Sequence, residues 1–522
     1  MPGTCSLDFD TPSYKGTITF NTGLFIDGKW VDPVEPDTID VINPSTGRVI
    51  TAVSVGSSKD VDIAVKAAQK ARFSYSLPLP AHSHQAYKTT WGLKCPGTSR
   101  GKLLTRLAEL LERDSAEIAA LEAINVGKPY HVAKSADLAG SINYIRYFGG
   151  WADKIQGKTI ETTEKKLAYT RHEPFGVVGQ IIPCGTSLLM LAWKIAPALA
   201  TGNTIVLKPS EMTPLSALRF VDLIVEAGFP PGVVNIVNGY GPTVGQAISE
   251  HMDIYKIAFT GSTLVGRKIL DASARTNLKV VTLELGGKSP TIVFDDCDLE
   301  QTIKWATQAI TLTVLFLGQS CVAGSRIFVQ EGIYPQFMER FTKLVQNLAQ
   351  AVGDPFSAST RHGPQASVSQ TQFDRIMGYI SSGKASGATV HTGGERHGTE
   401  GFFIQPTIFT DVTPDMRIVQ EEIFGPVAVV MKFKTEEEVI EAANATVYGL
   451  SCCVFSENIK RALRVAHALE AGSAFVNSSQ TVDPAVPFGG FKQSGLGREH
   501  GEYALATYTQ VKGVHVNLGV KL

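Results

Sequence analysis

At 522 residues the chain is too long for one hydrophobic core, so two or three domains are expected. Hydrophobic residues make up 43% and charged residues 19%, and 48 basic against 49 acidic side chains leave a net charge of -1. That balance is ordinary for a water-soluble globular protein. It excludes the strong field that nucleic acid or an anionic membrane surface would require, leaving a small molecule or another subunit as partner.

The opening MPGTCSLDFDTPSYKG has no basic head followed by an apolar stretch, so no secretory signal is expected. No apolar run approaches the roughly 18 residues of a membrane span. The seven cysteines (5, 95, 184, 297, 321, 452 and 453) are odd in number and scattered, with no CxxC pair for zinc. Adjacent Cys452 and Cys453 are poor disulfide partners. Free thiols in a reducing, cytoplasmic setting fit this usage.

Helices are expected around 58–72 and 100–122. From 176 to 288 strands and helices alternate. GVVGQIIP (176–183) reads as an apolar strand, and LLMLAWKIAPALATG as a helix with a glycine stop. NTIVLKP (203–209), VVNIV (233–237), KIAFTGS (256–262) and KVVTLEL (279–285) are further strands, with PLSALRFVDLIVEAG a helix between the first two. The NGYG turn opens another helix toward Ile248. Continuous apolar strands separated by amphipathic helices predict a parallel sheet covered on both faces, with ligands at the carboxyl ends of its strands. A second alternating block runs from about 289 to 495. Segments 154–174 and 506–518 favour extended structure and read as arms that pair with another subunit.

Gly261, Ser262 and Gly266 lie between a strand and the helix TLVGRKIL. Backbone N–H groups at a helix start, with glycine for close approach, suit a phosphate. Serine there also serves as a plain N-cap. GYGPTVG (239–245) misses the dinucleotide fingerprint by one residue. Lys208 and Glu211, in LKPSE at a strand end, can bind the two hydroxyls of an adenosine ribose. The carboxylate would repel a 2′-phosphate and so favour NAD over NADP. The plainer alternative is a solvated pair beside a helix start. Cys321, in LGQSCVAGSR, sits among small residues between an apolar run and a strand, an unusual place for an inert buried thiol. Glu284, in LELGGKSP, ends an apolar strand, where an acid is expected to be paired or to have a raised pKa useful to a general base. The two lie 37 positions apart, and nothing in that spacing makes them meet.

These motifs, with GFFIQPTIF, EEIFGPV (421–427) and PFGGFKQSGLGRE (487–499), resemble the aldehyde dehydrogenase superfamily, in order from about residue 22 to the end. The likeness is to its NAD-linked cytosolic and mitochondrial branch. The resemblance implies an α/β fold with a Rossmann-like NAD-binding domain (22–153 and 175–287), an α/β catalytic domain (288–495) and a β oligomerisation arm (154–174 and 503–522), assembled as a homotetramer. It implies that Cys321 attacks an aldehyde and that Glu284 activates the water that hydrolyses the thioester. Lys208 and Glu211 would hold the adenosine ribose, the turn of Gly261, Ser262 and Gly266 the pyrophosphate, and Glu422 the nicotinamide ribose. Phe424 would lie against the nicotinamide ring, and Phe488 would wall the substrate tunnel or simply pack in the core.

Three places depart from the family. After IIP the family has Trp-Asn-Phe-Pro, where this chain has Cys184, Gly185, Thr186 and Ser187. The family's asparagine donates to the oxyanion. Gly185 has no side chain to do so, which predicts a slow enzyme or a silent member kept for binding or structure. Residues 72–85 look inserted before AYKTTWG, and TLTVLFLGQ ahead of Cys321 is longer than the family pattern. The codons TGT GGA ACT TCC for Cys-Gly-Thr-Ser contain TGGAACTTCC, which two bases on reads Trp-Asn-Phe and the start of Pro. The 72–85 insert ends in Gln, compatible with the CAG of an intron end. A misplaced exon boundary and a retained short intron would explain both departures.

Overall fold

The structure, a computed structural model, describes residues 3–73, 91–185, 187–309, 319–357, 359–360 and 368–522. Thr186, most of the 72–85 segment and residues 311–318 lie outside the described residues.

An eight-stranded sheet runs in the order Gly495–Leu496, Val280–Glu284, Lys256–Thr260, Val177–Ile181, Thr204–Lys208, Val234–Ile236, Leu24–Ile26, Lys29–Val31. Its five central strands are parallel and its outer ones antiparallel. Four of these, Val177–Ile181, Thr204–Lys208, Val234–Ile236 and Lys256–Thr260, are buried at every residue, as apolar runs covered on both faces must be. The chain enters at Val177–Ile181, winds outward through 204–208 and 234–236, then returns to the other side at 256–260. The strand order therefore switches between Val177–Ile181 and Lys256–Thr260, and the crevice at their carboxyl ends is where such sheets bind ligands.

The helix Ser187–Ala200 follows the first of these strands, and all its residues are buried. It is apolar around its whole circumference because it lies between the sheet and the helices Gly97–Arg113 and Ala139–Trp151. The single helix expected over 100–122 is two, Gly97–Arg113 and Ser115–Val126. The break falls at Asp114, whose carboxylate accepts from Arg113 at 2.6 Å and Arg219 at 2.9 Å instead of capping the second helix.

A seven-stranded sheet runs in the order Thr389–Thr392, Thr407–Thr410, Val427–Phe433, Arg326–Gln330, Pro290–Val293, Ser451–Phe455, Ser473–Val476, antiparallel only at its first pair. Segments 154–174 and 506–518 supply a separate three-stranded antiparallel sheet, with Lys166–Pro174 between Thr509–Asn517 and Thr159–Thr163. Apolar Ile160, Leu167, Val511 and Val516 are exposed on it. No helix among the described residues is long and apolar enough to cross a membrane.

Candidate active site

The carboxyl ends of the first sheet face the amino ends of strands 290–293, 326–330 and 427–433 of the second. Between them lies a cavity of about 590 Å³. Cys321 and Glu284 both line it, as do Gly185, Gly261, Ser262, Glu422, Phe424 and Phe488. The fold thus brings together the two residues whose meeting the spacing left open. A larger open cleft of about 730 Å³, between residues 7–11, 352–356 and 397–400, shares no lining residue with it.

Glu284 is the last residue of its strand, paired in register with Thr260 on one side and Gly495 on the other. It is buried, and its Oε2 has no partner among the described residues. Burial first, and then the carboxylate of Glu499, hold its pKa well above the ordinary 4.5 against the opposing charges of Lys194 and Arg498. Behind it, Lys194 and Glu499 form an ion pair with 0% and 4% of their side chains exposed. A lysine in the otherwise apolar LLMLAWKIAPALA is a readable sign of such a pair, because a buried charge requires a partner. Which carboxylate it meets, 305 positions away, is not readable.

Cys321 lies in a turn ahead of Arg326–Gln330, closed by the Ala323 N–H donating to the Ser320 carbonyl at 3.1 Å. Burial, then the nearby carboxylates Glu422 and Glu284, push its thiol up, while the backbone N–H groups of Cys321 and Val322 oppose them.

The two glycines after Leu285 admit close neighbours. A Cβ on Gly286 would stand 2.1 Å from Glu422 Oε2, and one on Gly287 would stand 2.3 Å from the Cys321 carbonyl. The Gly287 N–H donates to Glu422 Oε1 at 3.2 Å. Burial pushes the Glu422 carboxyl up to about 7, opposed by that N–H and by Arg375 and Lys288. Phe424 adopts a φ of 58°, a left-handed conformation costly for a bulky residue, which aims its ring at the cavity.

Ser262 is the N-cap of helix Thr263–Arg275, its Oγ accepting from the Val265 N–H at 3.4 Å, and it also lines the cavity. Gly266 does not line it. A Cβ there would stand 2.8 Å from Leu285, so this glycine seats the helix against the residue that follows the Glu284 strand. Lys208 and Glu211 form a pair at 2.8 Å, but with only 3% of Lys208 exposed it is not the solvated pair of the plainer alternative. Neither lines the cavity. Gly245 closes over the Lys208 stem, where a Cβ would stand 3.8 Å from Cδ. Phe488 lines the cavity and packs on Trp193, ring centroids 5.3 Å apart.

The residues suit a dinucleotide. The Gly286 position leaves room for the Glu422 carboxylate, the 260–262 turn presents a helix start to the cavity, and a buried lysine–carboxylate pair stands at the neighbouring strand end. Among the described residues no group of three His, Cys, Asp or Glu side chains could hold a metal.

A strand-order switch, with a cysteine and a shielded carboxylate on the cavity at its mouth and a helix start beside them, is an arrangement suited to an enzyme that binds a nucleotide. The sequence model of the aldehyde dehydrogenase family matches residues 30–514, and the chain belongs to that family. It is 58% identical over 522 residues, all of both chains, to an aldehyde dehydrogenase of Agaricus bisporus. It is 55% identical to one of Emericella nidulans, over 95% of each chain. The structure of an NAD+ complex of the Bacillus cereus aldehyde dehydrogenase superposes with a TM-score of 0.89 at 46% identity, covering 95% of this chain and 97% of that one.

Proposed function

We propose that the protein oxidises an aldehyde to a carboxylic acid with NAD, through covalent intermediates on Cys321. The observation that carries this reading is the convergence of Cys321 and Glu284 on one cavity beside the Glu422 cradle. The Cys321 thiol gives its proton to water as its sulfur adds to the aldehyde carbon, and the Cys321 backbone N–H donates to the oxyanion of the resulting thiohemiacetal. Bound NAD supplies the acceptor for the hydride that this carbon loses in becoming a thioester. Glu284 then takes a proton from water, whose oxygen attacks the thioester and releases the acid and the thiol.

The residues that would hold the dinucleotide are Lys208 and Glu211 at the adenosine ribose, Gly261 and Ser262 at the pyrophosphate with Gly266 shaping that turn, Glu422 at the nicotinamide ribose and Phe424 against the ring. The NAD+ complex of the similar Bacillus cereus enzyme supports the choice of cofactor. Residues 22–153 and 175–287 form the cofactor domain in this reading, 288–495 the catalytic domain, and 154–174 with 503–522 an arm whose exposed apolar strands join subunits into a tetramer. Seven cysteines free of disulfides accord with the cytosol.

A second reading, a catalytically weak or silent member of the family, is favoured by Gly185, which offers the oxyanion no side chain. Product analysis separates the two. Incubation with NAD and propanal is expected to give acid and NADH in equal amounts, slowly. NAD binding with neither product would select the silent reading.

A further inference from the structure

The 184–187 segment lacks the asparagine side chain but still presents a main-chain donor. Cys184 and Gly185 both line the cavity. The Thr213 hydroxyl donates to the Cys184 carbonyl at 3.2 Å, and Thr213 is fully buried and stands behind the lining rather than on it. This anchor is itself fixed. The Ser187 hydroxyl donates to the Thr213 carbonyl at 2.9 Å, and Asn125 holds the same loop through the Met212 carbonyl at 3.0 Å and the Leu215 N–H at 3.1 Å.

The Cys184–Gly185 peptide is trans, and the N–H of a planar trans peptide points opposite to its C=O. With the carbonyl held by Thr213 behind the wall, the Gly185 N–H is turned the other way, toward the cavity. It has no partner among the described residues. The glycine also lies against the wall that carries the nucleophile, because a Cβ on it would stand 3.1 Å from the Gln319 carbonyl. Gln319 precedes Cys321 by two residues, which keeps that carbonyl within about 7 Å of the Cys321 Cα. Helix Ser187–Ala200 begins just beyond, and its positive end favours a negative charge here. Other lining residues also carry unpartnered side-chain atoms: Glu284 Oε2, Gln319 Oε1, Gln480 Oε1, Thr260 Oγ1 and Trp193 Nε1. All five are sealed within the wall, and the first three can only accept.

We propose that the Gly185 backbone N–H is the second donor to the oxyanion of the Cys321 thiohemiacetal, and that Thr213 is the positioning residue that aims it. The inference rests on the aldehyde reading above and supplies from the main chain a bond that the missing asparagine would make. As the C–S bond forms, the carbonyl π electrons move to oxygen, and they return when hydride leaves to NAD. The Gly185 N–H holds that charge and gives up no proton.

The experiment follows the first turnover of NADH at saturating NAD and propanal. Thr213→Val removes the hydroxyl at nearly constant shape, and Thr213→Ser keeps it. The valine variant is expected to lose about tenfold or more in rate and the serine variant less than about threefold, with NAD affinity unchanged in both. Replacing Gly185 by glycolate, which exchanges only its N–H for an ester oxygen, is expected to cost on the order of 10²–10³ in rate. In a chain carrying Trp-Asn-Phe-Pro at 184–187, where the asparagine donates, the loss in Thr213→Val should shrink to under about threefold. Equal losses in the two backgrounds, or a glycolate chain as fast as the parent, would overturn the inference while leaving the aldehyde reading intact. A parent chain that binds NAD and forms no NADH would overturn the aldehyde reading and the inference together.

Discussion

Gly286 and Glu422, 136 positions apart, meet so closely that a methyl group on the glycine would stand 2.1 Å from a carboxylate oxygen. The contact is with the end of the glutamate side chain, so the carboxyl group must swing away from its present place to relieve it. Gly286→Ala is expected to displace Glu422 and weaken NAD at least tenfold, with little effect on thermal stability. Quenching of protein fluorescence by NAD measures this, and unchanged affinity would remove Glu422 from the cofactor site.

Glu284 carries a sign that can be checked. Its folded pKa lies well above 4.5, so the unfolded chain gains more from ionisation than the folded one wherever the pH exceeds that value. The carboxyl therefore costs stability at pH 7, and the cost fades as the pH falls below 4.5, where both states are protonated. Glu284→Gln is expected to raise the Tm at pH 7 and to leave it unchanged near pH 4. The same variant should accumulate thioester, giving a burst of one NADH per site followed by little turnover. A steady rate without a burst would take the hydrolytic role away from Glu284.

The buried pair Lys194–Glu499 stands behind that carboxylate. Removing one member leaves the other charge uncompensated, so Lys194→Met should lose about 3–5 kcal/mol of stability in denaturant titration. Glu499→Gln has a second readout. Glu499 is the largest charge raising the Glu284 pKa, so its loss should move the ascending limb of the pH–rate profile to lower pH. An unmoved limb would show that the pair is structural only.

How far the sequence led depends on whether a feature is local. The turn at 260–262, the apolar strands at 177–181, 204–208 and 256–260, the extended character of 166–174 and 509–517, and Cys321 in a loop of small residues all follow from neighbouring residues; that those two extended segments pair with each other does not. The division of one expected helix at Asp114 was not legible, because it depends on Arg219, a hundred positions on. Nor were the meeting of Gly286 with Glu422 or the partner of Lys194. Each needs tertiary packing to bring distant residues together, and propensity carries no record of it.

Gly185 tests how the missing oxyanion donor can be restored. A Cβ there would stand 3.1 Å from the Gln319 carbonyl and 3.6 Å from the Phe424 ring. Asparagine would therefore press on the segment that leads into Cys321. Gly185→Asn alone is expected to recover less than tenfold of the 10²–10³ in rate that such a donor supplies. Replacing 184–187 together by Trp-Asn-Phe-Pro should recover more. Equal rates for the single and fourfold variants would contradict this crowding. Transcript reads that encode Cys-Gly-Thr-Ser would remove the shifted-frame explanation of the segment.

The central claim is that Cys321 carries the substrate. The most direct measurement is NADH formation, followed by absorbance, from the purified chain with NAD and an aliphatic aldehyde, beside its Cys321→Ala variant under the same conditions. The account predicts slow turnover that vanishes in the variant while NAD still binds. NADH formation that survives the loss of Cys321 would contradict it.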